Sequence, residues 1–270
     1  MGSIAVEYED PRPPLGVISS EMNICRLPGD PNNMRTFDFP VIEARTKGAL
    51  LVRMVSEREY SPEVLDNFVA AGQELIDRGA VGLITSCGFL AMAQKELSRR
   101  LSVPVAASSL LQIPLIRTTL RYGQGIGILT FDRLRLNHRH LAAVGITDIS
   151  GLYISGPPPE GRMKGCLRDG LPYNVDALTE ELIKVAMDLV SDHNDIGAIL
   201  LECTQFPPFA DAIQRVTGLP VYDVTTLANW FYAGLVRKPF APLTATEKAD
   251  TLIKRPRTEE ELLENEVKTT

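Results

Sequence analysis

Two cysteines carry the most chemistry in this sequence. Cys87 closes the run Gly-Leu-Ile-Thr-Ser-Cys (82–87), and Cys203 closes Ala-Ile-Leu-Leu-Glu-Cys (198–203), 116 residues further on (203 minus 87). Each stands where a short apolar strand is expected to turn into a helix. A helix start presents unpaired N–H groups and a partial positive charge, which lower a thiol's pKa and hold anions. Two such thiols on opposite sides of one ligand suit reversible inversion at a carbon, where one removes a proton and the other delivers one. The developing enolate needs preorganised donors. The backbone N–H groups of Gly88, Phe89, Thr204 and Gln205 are at hand, with the hydroxyls of Ser19, Ser86, Thr130 and Thr204. Cys25 and Cys166 have no such placement and read as structural.

The two cysteines belong to a repeat. At the offset that superposes them, Val103-Pro104-Val105 falls on Leu219-Pro220-Val221, Leu97 on Ile213 and Leu111 on Leu227. Upstream, Leu15-Gly16-Val17-Ile18-Ser19 echoes Ile126-Gly127-Ile128-Leu129-Thr130 at a slightly different offset. Each half then reads as an apolar strand ending in a hydroxyl residue, an amphipathic helix (Ser61–Arg78 or Val175–Ser191), a strand ending at the cysteine, a second helix and a third strand (Val103–Ala107 or Leu219–Val224). Ser61-Pro62-Glu63 supplies an N-cap and a proline at the first helical position. Continuous apolar runs alternating with helical periods predict parallel strands covered by helices. The expected fold is α/β, with two pseudo-symmetric lobes, each built on a central parallel sheet, and the site in the cleft between them. In such sheets ligands bind beyond the carboxyl ends of the strands, where both cysteines and Ser19 and Thr130 should lie. Residues 20–48 and 156–173 fall outside the pattern and read as long loops serving as lids or pocket walls. The tail after Pro256 reads as a charged helix.

Bulk properties narrow the function classes. The chain has 270 residues, 44% hydrophobic and 23% charged, with a net charge of −6, an ordinary globular composition. The acidic balance argues against nucleic acid or an anionic membrane surface as partner. The basic run Arg133, Arg135, His138, Arg139 and His140 reads as a solvated helix face. No apolar run approaches the roughly 20 residues that span a bilayer. Met1–Asp10 lacks the basic and apolar regions of a signal peptide. A cytoplasmic protein with free thiols is expected, acting on a small molecule, without nucleic acid or membrane, as a homo-oligomer with a dimer as first guess. No cysteine has zinc-site spacing, so no metal is expected. No lysine stands in surroundings suited to a Schiff base, so pyridoxal phosphate is not indicated. Gly123-Gln124-Gly125-Ile126-Gly127 precedes its strand rather than following it, which speaks against a nucleotide loop. His193 reads as part of a surface turn.

The segments Thr85-Ser86-Cys87-Gly88-Phe89-Leu90 and Glu202-Cys203-Thr204-Gln205 resemble the two active-site turns of the aspartate/glutamate/hydantoin racemase superfamily. Pro28-Gly29-Asp30, followed by Thr36-Phe37-Asp38-Phe39-Pro40-Val41, resembles the N-terminal signature of an uncharacterised branch of it. The resemblance covers about residues 15–235. It implies two Rossmann-like lobes, residues 1–115 with 225–270 carrying Cys87 and residues 116–224 carrying Cys203. It implies no cofactor, Cys87 and Cys203 as an acid/base pair, and Ser19 and Thr130 on the loops that hold a carboxylate or enolate. Gly88-Phe89 replace the Asn-Thr that follows the first cysteine in aspartate and glutamate racemases. Phe206-Pro207-Pro208-Phe209 suggest an apolar pocket wall, so a hydantoin, an N-substituted amino acid or a less polar acid suits the site as well as an acidic amino acid does. Arg26 is a candidate partner for a substrate carboxylate.

The expected function is therefore a cofactor-independent racemase or epimerase. Decarboxylation or cis-trans isomerisation through an enolate or Cys adduct is the alternative, and a non-catalytic ligand-binding role is a third reading.

Overall fold

The computed structural model describes residues 11–22, 24–48 and 51–239. The chain divides into a compact unit, Met1–Val236, and a segment, Arg237–Thr270; both sheets and the candidate site belong to the first. The tail after Pro256 lies outside the described residues, as do Met1–Asp10.

The unit contains two four-stranded sheets, all of whose strand pairs are parallel. The first is built from β1 (Leu15–Ser19), β2 (Val41–Arg45), β3 (Leu83–Thr85) and β4 (Val105–Ala106), with helices α1 (Leu51–Met54), α2 (Pro62–Asp77), α3 (Gln94–Arg100) and α4 (Ile113–Thr119) between and after them. The second is built from β5 (Gly125–Leu129), β6 (Leu152–Ser155), β7 (Ile196–Leu201) and β8 (Val221–Tyr222), with α5 (His138–Ala143), α6 (Arg162–Asp169), α7 (Val175–Asp192), α8 (Ala210–Thr217) and α9 (Val224–Leu235). The orders, β2-β1-β3-β4 and β6-β5-β7-β8, are the same topology used twice.

The local causes are legible. Ser61 accepts a hydrogen bond from the Val64 N–H and Pro62 opens α2. Phe68, Ala71, Gly72 and Leu75 then recur at helical spacing on its buried face, against Ile18 and Leu83 of the first sheet. In α7, Leu178, Leu182, Val185, Ala186 and Leu189 cover the second sheet in the same way. Each fully buried Leu or Phe in these layers contributes about 1.5–3 kcal/mol relative to an exposed one. The inner strands β1, β5 and β7 are buried throughout, as parallel strands covered on both faces must be. Val224, Leu227, Ala228 and Tyr232 of α9 pack on Leu15, Val17 and Ile84 of the first sheet.

Three expectations are corrected. Residues 20–48 hold an edge strand, β2, beside β1; its half-exposed Val-Ile-Glu-Ala-Arg lacks the continuous apolar run of an inner strand. Residues 156–173 contain the helix α6. His140 is not on a solvated face: it is fully buried, its ring edge-on to Phe89 at 5.0 Å between centroids. His193 closes α7 and stacks on Tyr153 at 3.9 Å. No helix among the described residues is long and apolar enough to cross a membrane.

Candidate active site

In each sheet the chain leaves the first strand for one edge and later returns on its other side, so β1/β3 and β5/β7 are the points where strand order reverses. The crevice beyond the carboxyl ends at such a point is where open α/β sheets bind ligands. Ser19 ends β1 with Ser20 after it, and Ser86-Cys87 follow β3; Thr130 follows β5, and Glu202-Cys203 follow β7. The two turns meet. The Thr204 hydroxyl donates to the Ser86 carbonyl at 2.6 Å, and the Ser109 hydroxyl donates to the Leu201 carbonyl at 2.9 Å.

The closest approach is at Gly88. A Cβ there would stand 2.2 Å from the Glu202 carbonyl oxygen and 2.3 Å from its Oε1, so no other residue fits without displacing the second turn. Gly29, at φ +107°, plays the same part for the loop before β2. Its missing Cβ would lie 2.8 Å from the Pro208 nitrogen, which lets that loop lie over the second turn. Arg26 pairs with Asp30 at 2.9 Å, and the Gln205 amide donates to the same carboxylate.

These contacts enclose a cavity lined by both cysteines, by Ser86, Gly88, Phe89, Glu202, Thr204 and Gln205, and by Arg26 on one wall. Met22, Ile24, Leu51, Val55, Phe131 and Leu167 complete an otherwise apolar lining. Its volume is about 30 Å³, and it adjoins a cavity of about 390 Å³ through the shared residues Leu51, Val55 and Phe131. Both long loops are therefore walls: Met22, Ile24 and Arg26 come from one, Leu167 from α6 in the other. Phe206 and Phe209, expected in the wall, are instead buried in the core, and Phe89 and Phe131 supply the aromatic surface.

Of the ten residues singled out in the sequence, eight line this cavity: Cys87, Cys203, Arg26, Ser86, Gly88, Phe89, Thr204 and Gln205. The other two stand behind it. Ser19 accepts a hydrogen bond from the Asn32 amide. The Thr130 hydroxyl is spent on Glu202, donating to Oε2 at 2.6 Å.

The backbone donors are aimed at the sulfurs: the Phe89 and Leu90 N–H groups at Cys87, and the Gln205 N–H at Cys203. A lowered thiol pKa was the expectation, and the structure reverses it. Burial, with the Glu202 carboxylate next in importance, pushes Cys87 up to about 12 and Cys203 well above its ordinary value; the N–H donors offset only part of this.

Glu202 is the residue that sequence reasoning passed over. Burial lifts its pKa to about 7, against the lowering by the Thr130 hydrogen bond. Tyr60, whose hydroxyl stands 2.9 Å from the carbonyl oxygens of Met54 and Phe89, is raised by burial and by the neighbouring Cys87 and Glu202. The signal available was a carboxylate inside an apolar run, where a strand end would carry Gly, Ser or Thr. No group of three or more His, Cys, Asp or Glu that could hold a metal forms among the described residues.

Comparison with known proteins supplies kinship. The chain is 31% identical over 229 residues to a dimethylsulfoniopropionate lyase of Durusdinium sp. clade D, covering 83% of this chain and 76% of that one. It is 28% identical over 242 residues to dimethylsulfoniopropionate lyase 7 of Emiliania huxleyi (strain CCMP1516), covering 84% and 68%. The chain belongs to the dimethylsulfoniopropionate lyase family. Solved structures match it by fold. Glutamate racemase RacE1 of Bacillus anthracis matches with a TM-score of 0.54 at 13% identity over 82% of each chain. Unliganded arylmalonate decarboxylase matches at 0.53 and 17%, over 83% of this chain and 92% of the other. No family model matches.

Proposed function

We propose that this protein is a lyase that removes the proton α to a carboxylate and expels a leaving group from the β-carbon, with dimethylsulfoniopropionate as substrate. The observation that carries the reading is the meeting of two thiols, one from each half, in a small apolar cavity of a chain whose relatives are lyases of that compound. One of Cys87 and Cys203, as thiolate, takes the α-proton. The C–H electron pair becomes the Cα=Cβ bond, the β-carbon–sulfur bond breaks with its pair going to sulfur, and dimethyl sulfide and acrylate result. The proton remains on the cysteine and must return to solvent before the next turnover.

The raised thiol pKa values fit this substrate. A sulfonium cation in the cavity favours the thiolate beside it, so the base is generated when the substrate is present and stays protonated when it is absent. Enclosure also strengthens every charge interaction on the enolate-like transition state. This replaces racemisation as the first reading while keeping its initial step. Racemisation remains the second reading, because two thiols in one cavity also suit delivery of a proton to the opposite face.

The test is dimethyl sulfide release, by headspace gas chromatography, from wild type and from the Cys87→Ser and Cys203→Ser variants. Wild type should release it, and at least one variant should lose release by about 100-fold or more, the scale of a missing general base, with circular dichroism unchanged. Wild-type rates in both variants refute the thiol mechanism. No release by wild type, with loss of the α-proton signal of a chiral acid in D₂O and appearance of both enantiomers, establishes racemisation instead.

A further inference from the structure

Glu202 is an unusual tenant of an apolar cavity. It is 1% exposed, and it lines the cavity together with the two thiols, both of which feel its charge. Thr130 bonds only one of its carboxylate oxygens; Oε1 is buried without a hydrogen-bond partner. No Lys or Arg among the described residues pairs with it. The cation on the cavity wall, Arg26, is held by Asp30 at 2.9 Å, and that carboxylate also takes the Gln205 amide. An uncompensated buried carboxylate is costly to keep. The rest of the lining is largely apolar, with Phe89 and Phe131 among it; the Lys164 ammonium already lies over the Phe131 ring, 5.6 Å from its centroid.

We propose that Glu202 is the specificity-determining residue of the cavity, selecting ligands with a methylated onium cation, sulfonium or quaternary ammonium, at the carbon β to a carboxylate. Its open oxygen supplies the counter-charge, and the apolar lining receives the methyl groups. A methylated onium has no N–H or O–H to donate, so it suits a site that offers charge and apolar surface rather than a set of hydrogen-bond acceptors. The same carboxylate repels a second carboxyl group, which sets the cavity against acidic amino acids. Gly88 belongs to the device: any side chain there would occupy the space of Glu202 Oε1. The titratable groups facing Glu202 are Cys87, Cys203 and Tyr60, all raised by burial, so Glu202 is the member of the cluster that changes charge near neutral pH. The inference rests on the reading of this cavity as the substrate site.

The test uses two isosteric acids, 3-(trimethylammonio)propanoate and 4,4-dimethylpentanoate, which differ in a cationic nitrogen against a neutral carbon. Calorimetric titration at pH 8 should show wild type binding the cation at least 10-fold more tightly. Glu202→Gln should bring that ratio to within twofold of unity through loss of affinity for the cation alone. A merely structural role would weaken both acids together. Should Glu202→Gln fail to fold, Thr130→Val is the second variant: it removes the hydrogen bond that favours the ionised carboxylate, so the cation preference should appear at higher pH than in wild type. An unchanged ratio in Glu202→Gln, no shift in Thr130→Val, no preference in wild type, or no binding of either acid overturns the proposal. Dimethyl sulfide release measured on the same samples separates the two readings. Release with a ratio indifferent to Glu202 refutes the role of Glu202 and leaves the lyase standing. A Glu202-dependent preference without release does the reverse.

Discussion

Replacing Glu202 by Gln should raise stability relative to wild type progressively as pH increases, by an amount that is calculable. Glutamate in the unfolded chain titrates near 4.5, and Glu202 in the fold near 7. Between those values the folded chain binds more protons than the unfolded one, so stability falls as pH rises. The contribution of the protonated carboxyl is full below the unfolded value and lost as pH passes through the folded one. For these two values the loss between pH 5 and pH 8 is about 2–3 kcal/mol. The Gln variant has no such titration. At about 2–4 °C per kcal/mol for a chain of this size, its Tm relative to wild type should rise by about 5–10 °C between pH 5 and pH 8. Differential scanning fluorimetry of both proteins across that range, without ligand, reads this directly. Taking the difference cancels His140, which burial pulls down to about 4 and whose effect runs the opposite way, stability being lost as pH falls. Cys87, Cys203 and Tyr60 are all pushed upward and stay protonated throughout. Parallel Tm curves for variant and wild type would refute the argument that Glu202 is a buried, weakly solvated carboxyl.

The steric reading of Gly88 predicts that Gly88→Ala destabilises by about 1–3 kcal/mol, as overpacking does, and lowers activity; Gly234→Ala, in α9 with no atom within 4 Å of the added Cβ, should be neutral or slightly stabilising. Thermal melts of the pair check this, and equal Tm values would refute it. Thr130→Val should move the midpoint of the Glu202-dependent stability change above pH 7, because the lost hydrogen bond is what lowers that pKa; an unmoved midpoint, measured against Thr130→Val/Glu202→Gln, counts against it. Timed iodoacetamide labelling at pH 7.5 with peptide mass mapping should modify exposed Cys25 first, with Cys87 and Cys203 slow in the absence of ligand. Early labelling of either cavity thiol would refute their enclosure and raised pKa.

Much of this architecture is legible in the order of residues along the chain. β1 runs over Leu15–Ser19 as the apolar run indicates, and α2 starts behind Ser61-Pro62 because capping and proline act within one turn of chain. The edge strands β2 and β6 are not legible there, since half-exposed strands carry mixed residues and are defined by the neighbour they pair with. The two cysteine turns are visible because a repeat places equivalent residues at equivalent strand ends. Whether their thiols are acidic is invisible: helix starts argue one way, burial argues the other, and burial wins only when the walls are known.

The sequence by itself determined the α/β alternation, the duplicated plan and the thiols at its two strand ends, because each follows from the period of apolar residues along a few turns of chain. Only the tertiary structure decided that Gly88 must be glycine, that Thr130 serves Glu202, and that a carboxylate with one unpartnered oxygen shares the cavity with the thiols. Those facts depend on which atoms of residues far apart in the chain come within about 3 Å of each other, the range of a hydrogen bond, and on the water excluded when they do. Spacing along a single strand or helix carries no trace of either.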